Sequence, residues 1–236
     1  MKQRKAVVLN SGGADSTTCV GIAVNSAKYS EVATVSVLYG QKHQKELKCA
    51  QNVADHYHLN HYELDLSSVL RFSNCSLLKD STDMIPEKSY AEQIAENGEG
   101  KVSTYVPFRN GLMLSAVAAL AQSIWPEDDV DILLGAHADD AAGRAYADCS
   151  EEFTSAMNTA IIIGTYGKVR VVAPLVNMNK AGVIKAGLDL NVPYELTTSC
   201  YKGGDKACGK CGTCIDRLNA FHENGVEDPI EYEEDN

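Results

Sequence analysis

One junction restricts the fold more than any other feature of the chain. The apolar run Ala6-Val7-Val8-Leu9 stops at Asn10-Ser11-Gly12-Gly13-Ala14-Asp15-Ser16, and a helix-period segment takes over from Thr17 to Ala27. A buried strand that passes through glycines and hydroxyls straight into a helix opens a strand-helix-strand unit. The alternation then recurs as Val32 to Leu38, Lys42 to Tyr57 and His61 to Leu66. In the second predicted helix Leu47, Ala50, Val53, Ala54 and Tyr57 share one face, opposite Lys45, Lys48, Gln51 and Asp55. Further along, Asn110 to Ile124 reads as a nearly all-round apolar helix that Trp125-Pro126 ends. It is followed by the strand Val130 to Leu134, the helix Glu151 to Ile162, the strand Val169 to Val172 and the short helix Lys180 to Leu188. Short buried strands alternating with helices predict an α/β fold, a mostly parallel sheet with helices on both faces.

Two stretches depart from the rhythm. Residues 71–104 are polar and turn-rich, with Asn97-Gly98-Glu99-Gly100 among them, and a loop of that length suggests a functional lid or a flexible segment. After about Pro193, Gly, Cys and Lys replace the apolar period. The formal net charge of −11, from 21 Lys+Arg against 32 Asp+Glu, argues against a general binder of phosphate backbones and for a small substrate. The greasiest run, Leu112 to Ile124, is interrupted by Ser115, Gln122 and Ser123 and is too short to span a bilayer. The basic start is followed by only four apolar residues, too few for a signal-peptide core, so the expected location is the cytosol.

The junction itself carries chemistry. In an open α/β sheet, ligands collect at the carboxyl ends of the strands, and a helix N-terminus offers unpaired N–H groups to an anion. Gly12 and Gly13 are expected to take positive φ and close the backbone around phosphate oxygens, while Ser11, Ser16 and Thr17 add hydroxyl donors. No lysine follows in the G-x-x-x-x-G-K-[ST] register and the spacing is not G-x-G-x-x-G, so kinase and dehydrogenase readings lose support. A bare Gly-Gly also suits a tight turn with Asp15 or Ser16 as helix cap. The full S-G-G-x-D-S string is far more specific.

Four of the eight cysteines crowd together as Cys200, Cys208, Cys211 and Cys214. The spacing suits one tetrahedral ion, and four thiolates without histidine make a closed, structural zinc site. An iron–sulfur cluster is the competing reading of Cys-x2-Cys-x2-Cys. Cys19, Cys49, Cys75 and Cys149 lie far apart; the first two fall in predicted helices, where small buried hydrophobes are expected.

With its S-G-G-x-D-S loop the sequence resembles the PP-loop ATP pyrophosphatases. That resemblance implies a Rossmann-like, adenine nucleotide alpha hydrolase-like fold. It implies ATP as a substrate with Mg²⁺, held by Leu9, Asn10, Ser11, Gly12, Gly13, Ala14, Asp15, Ser16, Thr17, Thr18 and Cys19, and cleavage to AMP and pyrophosphate. Within that group the chain is similar to the 7-cyano-7-deazaguanine synthase family over nearly its full length. The similarity rests on Leu9 to Cys19; Tyr39-Gly40-Gln41-Lys42-His43 with Glu46-Leu47; Thr104 to Asn110; Tyr146-Ala147-Asp148-Cys149; Pro174-Leu175 with Asn179-Lys180-Ala181; and Thr198-Ser199-Cys200-Tyr201. Phe108 stands where Gly is usual in the family, Ala147 where Pro is usual and Thr198 where Trp is frequent.

The resemblance implies one PP-loop domain over residues 1–236, with a lid-like insertion near 71–104 and a segment binding one structural zinc near 195–221. It implies conversion of 7-carboxy-7-deazaguanine and ammonia to 7-cyano-7-deazaguanine through an adenylated carboxylate and then an adenylated amide. Lys180 and Asp15 are the residues assigned to the chemistry, Lys180 by reach to the phosphates. Arg109, Asn110 and Asp148 are assigned to the substrate, Asp148 as acceptor for the N–H edge of a guanine-like base. The bland readings are a solvated helix lysine, a helix start at Arg109-Asn110 and a helix-end carboxylate. Small-molecule substrates, no stable nucleic-acid binding, no membrane and a homodimer complete the expectation. Competing functions are a PP-loop enzyme that adenylates a tRNA base for thiolation, a deazaguanine-activating enzyme with a macromolecular acceptor, and a zinc-ribbon interaction module without turnover.

Overall fold

The apolar runs become five strands. β1 (Arg4–Leu9), β2 (Tyr29–Leu38), β3 (Asn60–Asp65), β4 (Val130–Leu133) and β5 (Val169–Val172) form one all-parallel sheet in the order β3-β2-β1-β4-β5. The computed structural model describes residues 3–98, 102–142 and 145–234. Between the strands run α1 (Ala14–Val24), α2 (Lys45–His56), the short α3 (Ser67–Leu70), α4 (Tyr90–Asn97), α5 (Arg109–Ile124) and the single turn α6 (Ala138–Ala141). Then come α7 (Glu151–Gly164), α8 (Lys180–Asp189) and α9 (Gly212–Glu223).

The period of two in β1 splits its side chains between two cores. Val7 and Leu9 pack with Val35 and Ile132 under Leu114, Val117 and Ala121 of α5. Ala6 and Val8 face the other way, onto Val20 of α1, Val53 of α2 and Val183 of α8. Both faces are therefore covered, as a parallel sheet requires. The chain leaves β1 toward β2 and β3 on one side, then returns to lay β4 on the other. The loops after β1 and β4 consequently diverge at a topological switch point, where such sheets open a crevice.

Three differences from the sequence-based expectations have physical causes. The segment 71–104 is anchored rather than structureless: Cys75, Leu77 and Leu78 pack with Tyr39, Leu70 and Val106. It also holds α4, begun by a capping box in which Ser89 and Glu92 each satisfy the other's backbone N–H. Glu99 and Gly100, within the predicted turn, lie outside the described residues. The tail after Pro193 forms α9, hidden from a hydrophobic-period search because its buried face holds Cys214 and Arg217 beside Ala220 and Phe221. Among the described residues no helix is long and apolar enough to cross a membrane.

Candidate active site

At the crevice, Asn10 turns the chain out of β1. Its side-chain oxygen accepts the Gly12 N–H at 3.0 Å, and its amide donates to the Ala50 carbonyl at 3.2 Å, pinning the loop to α2. Gly12 lies at φ +77°, and a Cβ there would stand 2.3 Å from the Glu46 carbonyl oxygen and 2.7 Å from the Ala50 nitrogen. Only glycine fits both the conformation and the contact. Gly13, expected to share that conformation, is instead the extended N-cap of α1 at φ −83°, and no side chain caps the helix there. The cap is thus neither Asp15 nor Ser16, and the first N–H groups of an 11-residue helix stay available to an anion.

Six of the eleven residues expected to hold nucleotide line the cleft: Leu9, Asn10, Ser11, Gly13, Asp15 and Ser16. Gly12, Ala14, Thr17, Thr18 and Cys19 stand behind them. The Thr17 and Thr18 hydroxyls are spent on the carbonyls of Gly13 (2.8 Å) and Ala14 (2.9 Å).

Lys180, at the start of α8, crosses to α1 and places Nζ 2.6 and 2.7 Å from the two carboxylate oxygens of Asp15. Its own N–H donates to Asp139 at 2.7 Å, and Asn179 caps the helix through the Gly182 N–H at 2.9 Å. Burial pushes Asp15 upward, but Lys180 and His137 outweigh it and hold the carboxyl below the usual range. The His137 Nε2 sits 3.4 Å from Asp140 and 3.7 Å from Asp15, and its buried Nδ1 has no partner. This end of the cleft is a set of charges around a free helix N-terminus.

The other end is aromatic. The Arg109 guanidinium lies 5.2 Å from the Tyr39 ring centre, and Tyr90, Tyr146 and Tyr201 close the wall. The hydroxyls of Tyr90 and Tyr201 are 2.9 Å apart and those of Thr104 and Tyr146 are 2.6 Å apart. Burial raises the three wall tyrosines above the ordinary phenol range, so their hydroxyls stay neutral. Glu46, in the first turn of α2, faces the same space, and burial pushes its carboxyl up to about 7 despite Arg109.

Asp148 is not in that wall. One of its oxygens accepts the Asn110 N–H at 2.9 Å, while the Asn110 amide donates to the Asp148 carbonyl at 3.1 Å and the Cys149 sulfur at 3.3 Å. The pair fixes the start of α5 from behind, which is the bland reading of this carboxylate, and only Asn110 of the two borders the cleft. Phe108, the residue before, occupies the left-handed region at φ +55° and packs edge-to-face on Phe153. A glycine, the usual residue of the resembling family, takes that conformation without strain.

Cys200, Cys208, Cys211 and Cys214 are all buried, and their sulfurs lie within 4.8 Å of one another, so the cluster can hold a metal ion. Zn–S bonds of about 2.3 Å place tetrahedral sulfurs roughly 3.8 Å apart, which the cluster accommodates. Hydrogen bonds from Cys200 and Cys214 hold Cys211 well below the ordinary thiol range, and the Lys210 and Cys211 N–H groups point at the Cys208 sulfur. The cluster is joined to the cleft through backbone: the Thr198 N–H donates to the Gly12 carbonyl at 2.9 Å, and Thr213 donates to the Ser199 carbonyl.

The structure brings Asp15, Lys180, Arg109 and the loop, all singled out in the sequence, to one cleft. The sequence assigns no role to Glu46, the four cleft tyrosines or Asp216, whose carboxyl burial lifts to about 6. Tyr39, Glu46, Tyr146 and Tyr201 stand within the motifs that carry the family resemblance; Tyr90 has no signal beyond the capping box before it.

The family model described as queuosine biosynthesis protein QueC matches residues 5–225. A 7-cyano-7-deazaguanine synthase of Caldicellulosiruptor saccharolyticus is 42% identical over 229 residues, covering 97% of this chain and 96% of that one. A synthase of the same name from Thermoplasma acidophilum is 43% identical over 239 residues, covering 99% and 94%. Among solved structures, the NMN synthetase of Francisella tularensis superimposes with a TM-score of 0.51 at 12% identity, covering 95% of this chain and 79% of that one, a likeness of fold alone.

Proposed function

The chain belongs to the QueC family, and from that premise we propose that it is an ATP-dependent ligase that converts 7-carboxy-7-deazaguanine and ammonia to 7-cyano-7-deazaguanine. The observation that carries the reading is the uncapped N-terminus of α1 facing Lys180 across one cleft, with an aromatic wall beyond it. A carboxylate is a poor electrophile. Attack of its oxygen on the α-phosphorus of ATP expels pyrophosphate and gives an acyl-adenylate. Ammonia then displaces AMP and leaves the amide. In a second round the amide oxygen attacks another α-phosphorus, and loss of a proton and AMP from the adenylated imidate leaves the nitrile.

In this reading Ser11, Gly13 and Ser16 cradle the departing pyrophosphate, and Lys180 neutralises charge that grows on it, with Asp15 holding the ammonium in position. Mg²⁺ would enter with the ATP phosphates and would supply positive charge against them. Arg109 and Asn110 border the base, while Asp148 acts through Asn110. The segment 71–104 covers the cleft through Tyr90 and keeps water from the acyl-adenylate. Cys200, Cys208, Cys211 and Cys214 would hold one zinc ion, which would fix the segment near 195–221. The same reading makes residues 1–236 one domain and places the enzyme in the cytosol as a homodimer acting on small molecules.

Purified protein incubated with Mg²⁺, ATP, ammonium and 7-carboxy-7-deazaguanine is expected to give the nitrile by mass spectrometry, with two AMP per turnover. ADP in place of AMP overturns the pyrophosphatase reading. AMP with an unchanged base points to another acceptor, such as a tRNA base or a macromolecular amine.

A further inference from the structure

We propose that Glu46 recognises the 2-aminopyrimidinone edge of the base, its two carboxylate oxygens accepting the ring N1–H and an N–H of the exocyclic amine. The inference rests on the proposed function and assigns the specificity-determining residue of that same cleft.

The argument starts from the chemistry of the substrate. A 7-deazaguanine presents two adjacent donors at the N1 and 2-amino positions, and the group that matches two parallel donors is an ionised carboxylate. The C7 carboxylate to be activated lies at the far side of the bicycle, so when it meets the α-phosphate the donor edge points away from the phosphate loop. The recognising carboxylate therefore belongs at the aromatic end of the cleft.

Among the described residues four carboxylates line the cleft: Asp15, Glu46, Asp140 and Asp216. Asp15 has both oxygens on Lys180. Asp140 faces His137 at 3.4 Å. Asp216 stands in the field of Lys180, Asp140 and Asp139, at the phosphate end. Glu46 alone of the four is at the other end, beside Arg109 and Tyr39, and no described residue donates a hydrogen bond to its carboxylate. Asp148, the residue that the sequence suggested for this task, has an oxygen committed to Asn110 and does not reach the cleft. A half-buried carboxylate left without donors is unfavourable by itself, and two N–H groups of a bound base are the partners it lacks. The Glu46 backbone lies against Gly12 of the phosphate loop, and its side chain leaves that contact toward Arg109 and Tyr39.

The test compares 7-carboxy-7-deazaguanine with its analogue lacking the 2-amino group. The wild-type enzyme, with Mg²⁺, ATP and ammonium, is expected to favour the natural base by roughly 10- to 100-fold in kcat/KM, as a lost bidentate contact predicts. In Glu46→Gln one acceptor becomes a donor, and the preference is expected to shrink to about threefold or less, through KM for the base, with KM for ATP unchanged. Glu46→Asp keeps both acceptors on a shorter arm and is expected to retain the preference at a higher KM. A Glu46→Gln enzyme that keeps the full preference overturns the proposal. So does one in which KM for ATP rises while the preference persists, since Glu46 then holds the nucleotide. Calorimetric binding of the two bases to the same proteins decides the matter even if no AMP forms, an outcome that overturns the proposed reaction alone.

Discussion

Lys180 and Asp15 lie 165 residues apart in sequence and meet as a two-point ion pair, Nζ at 2.6 and 2.7 Å from the carboxylate oxygens, at the mouth of the uncapped helix α1. The pair keeps a mostly buried ammonium aimed into the cleft. Replacing Lys180 by Met removes the positive charge that meets the departing pyrophosphate. AMP formation is then expected to slow by about 100- to 1000-fold, the range for loss of one preorganised stabilising group. Single-turnover measurement of AMP release, with melting curves to show that the variant folds, checks this.

Gly12→Ala combines two penalties. The left-handed conformation disfavours a Cβ by about 1–2 kcal/mol, and that Cβ meets the Glu46 carbonyl oxygen at 2.3 Å, a backbone atom that moves only if α2 moves. The expected result is a folded but destabilised protein that no longer binds ATP. Chemical denaturation and calorimetric titration with ATP read the two effects separately.

The metal cluster is expected to support the cleft. Because Thr198 donates to the Gly12 carbonyl and Tyr201 follows the ligand Cys200 directly, loss of the ion loosens both the phosphate loop and the aromatic wall. Cys208→Ser is expected to lower the metal content below one ion per chain and to weaken ATP binding by at least roughly tenfold, the effect of disturbing a supporting group around a metal site. Elemental analysis in parallel with nucleotide titration tests the linkage. Unchanged ATP affinity in metal-free, folded protein argues against it.

The sheet and the phosphate loop were legible because their signals are local: Ala6 to Leu9, Val32 to Leu38 and Val169 to Val172 read as strands on their own, and Gly12 constrains its own backbone. The cysteine cluster was legible for the same reason, since three ligands fall within seven residues. What was not legible is convergence. Tyr39, Tyr90, Tyr146 and Tyr201 come from four segments and meet only in the folded chain. Asp148 misled because a carboxylate beside a cysteine motif looks the same in sequence whether it faces a ligand or a helix N-terminus. α9 escaped because a fully buried arginine on its inner face reads as a solvent-facing residue.

That arginine is the staple of the tail. Arg217 is fully buried and grips Asp228 through Nε at 2.7 Å and Nη2 at 2.9 Å, while Nη2 also donates to the Tyr194 carbonyl at 3.2 Å and Nη1 to the Thr197 hydroxyl at 2.7 Å. Removing one partner of such a pair strands the other charge without water, which costs about 3–5 kcal/mol. Arg217→Met is expected to lose that much in urea denaturation. The paired change Arg217→Met with Asp228→Leu is expected to recover part of it. A loss confined to the exposed-pair range of about 1 kcal/mol refutes the staple.

Glu46 makes the unliganded protein less stable as the pH rises. Burial places its carboxyl at about 7, with Arg109 pulling it down only in part and Tyr39 and Cys49 facing it as neutral groups. An unfolded glutamate titrates near 4.3, so between those values the folded chain holds the proton that the unfolded chain has released. By linkage this contribution to stability is complete below about pH 4 and is lost as the pH climbs through 7. Glu46→Gln cannot ionise and keeps it. The variant and the wild type are expected to melt together at about pH 4, where the unfolded glutamate is itself largely protonated, and the variant to melt several degrees higher at pH 8, at roughly 2–4 °C per kcal/mol for a chain of this size. Asp216, raised in the same direction, titrates in both proteins and cancels in the comparison. The base is expected to reverse the difference: its donors favour the ionised carboxylate, so saturating substrate at pH 8 stabilises the wild type more than the variant. Melting curves at the two pH values, with and without base, give four numbers that a purely structural glutamate does not order in this way.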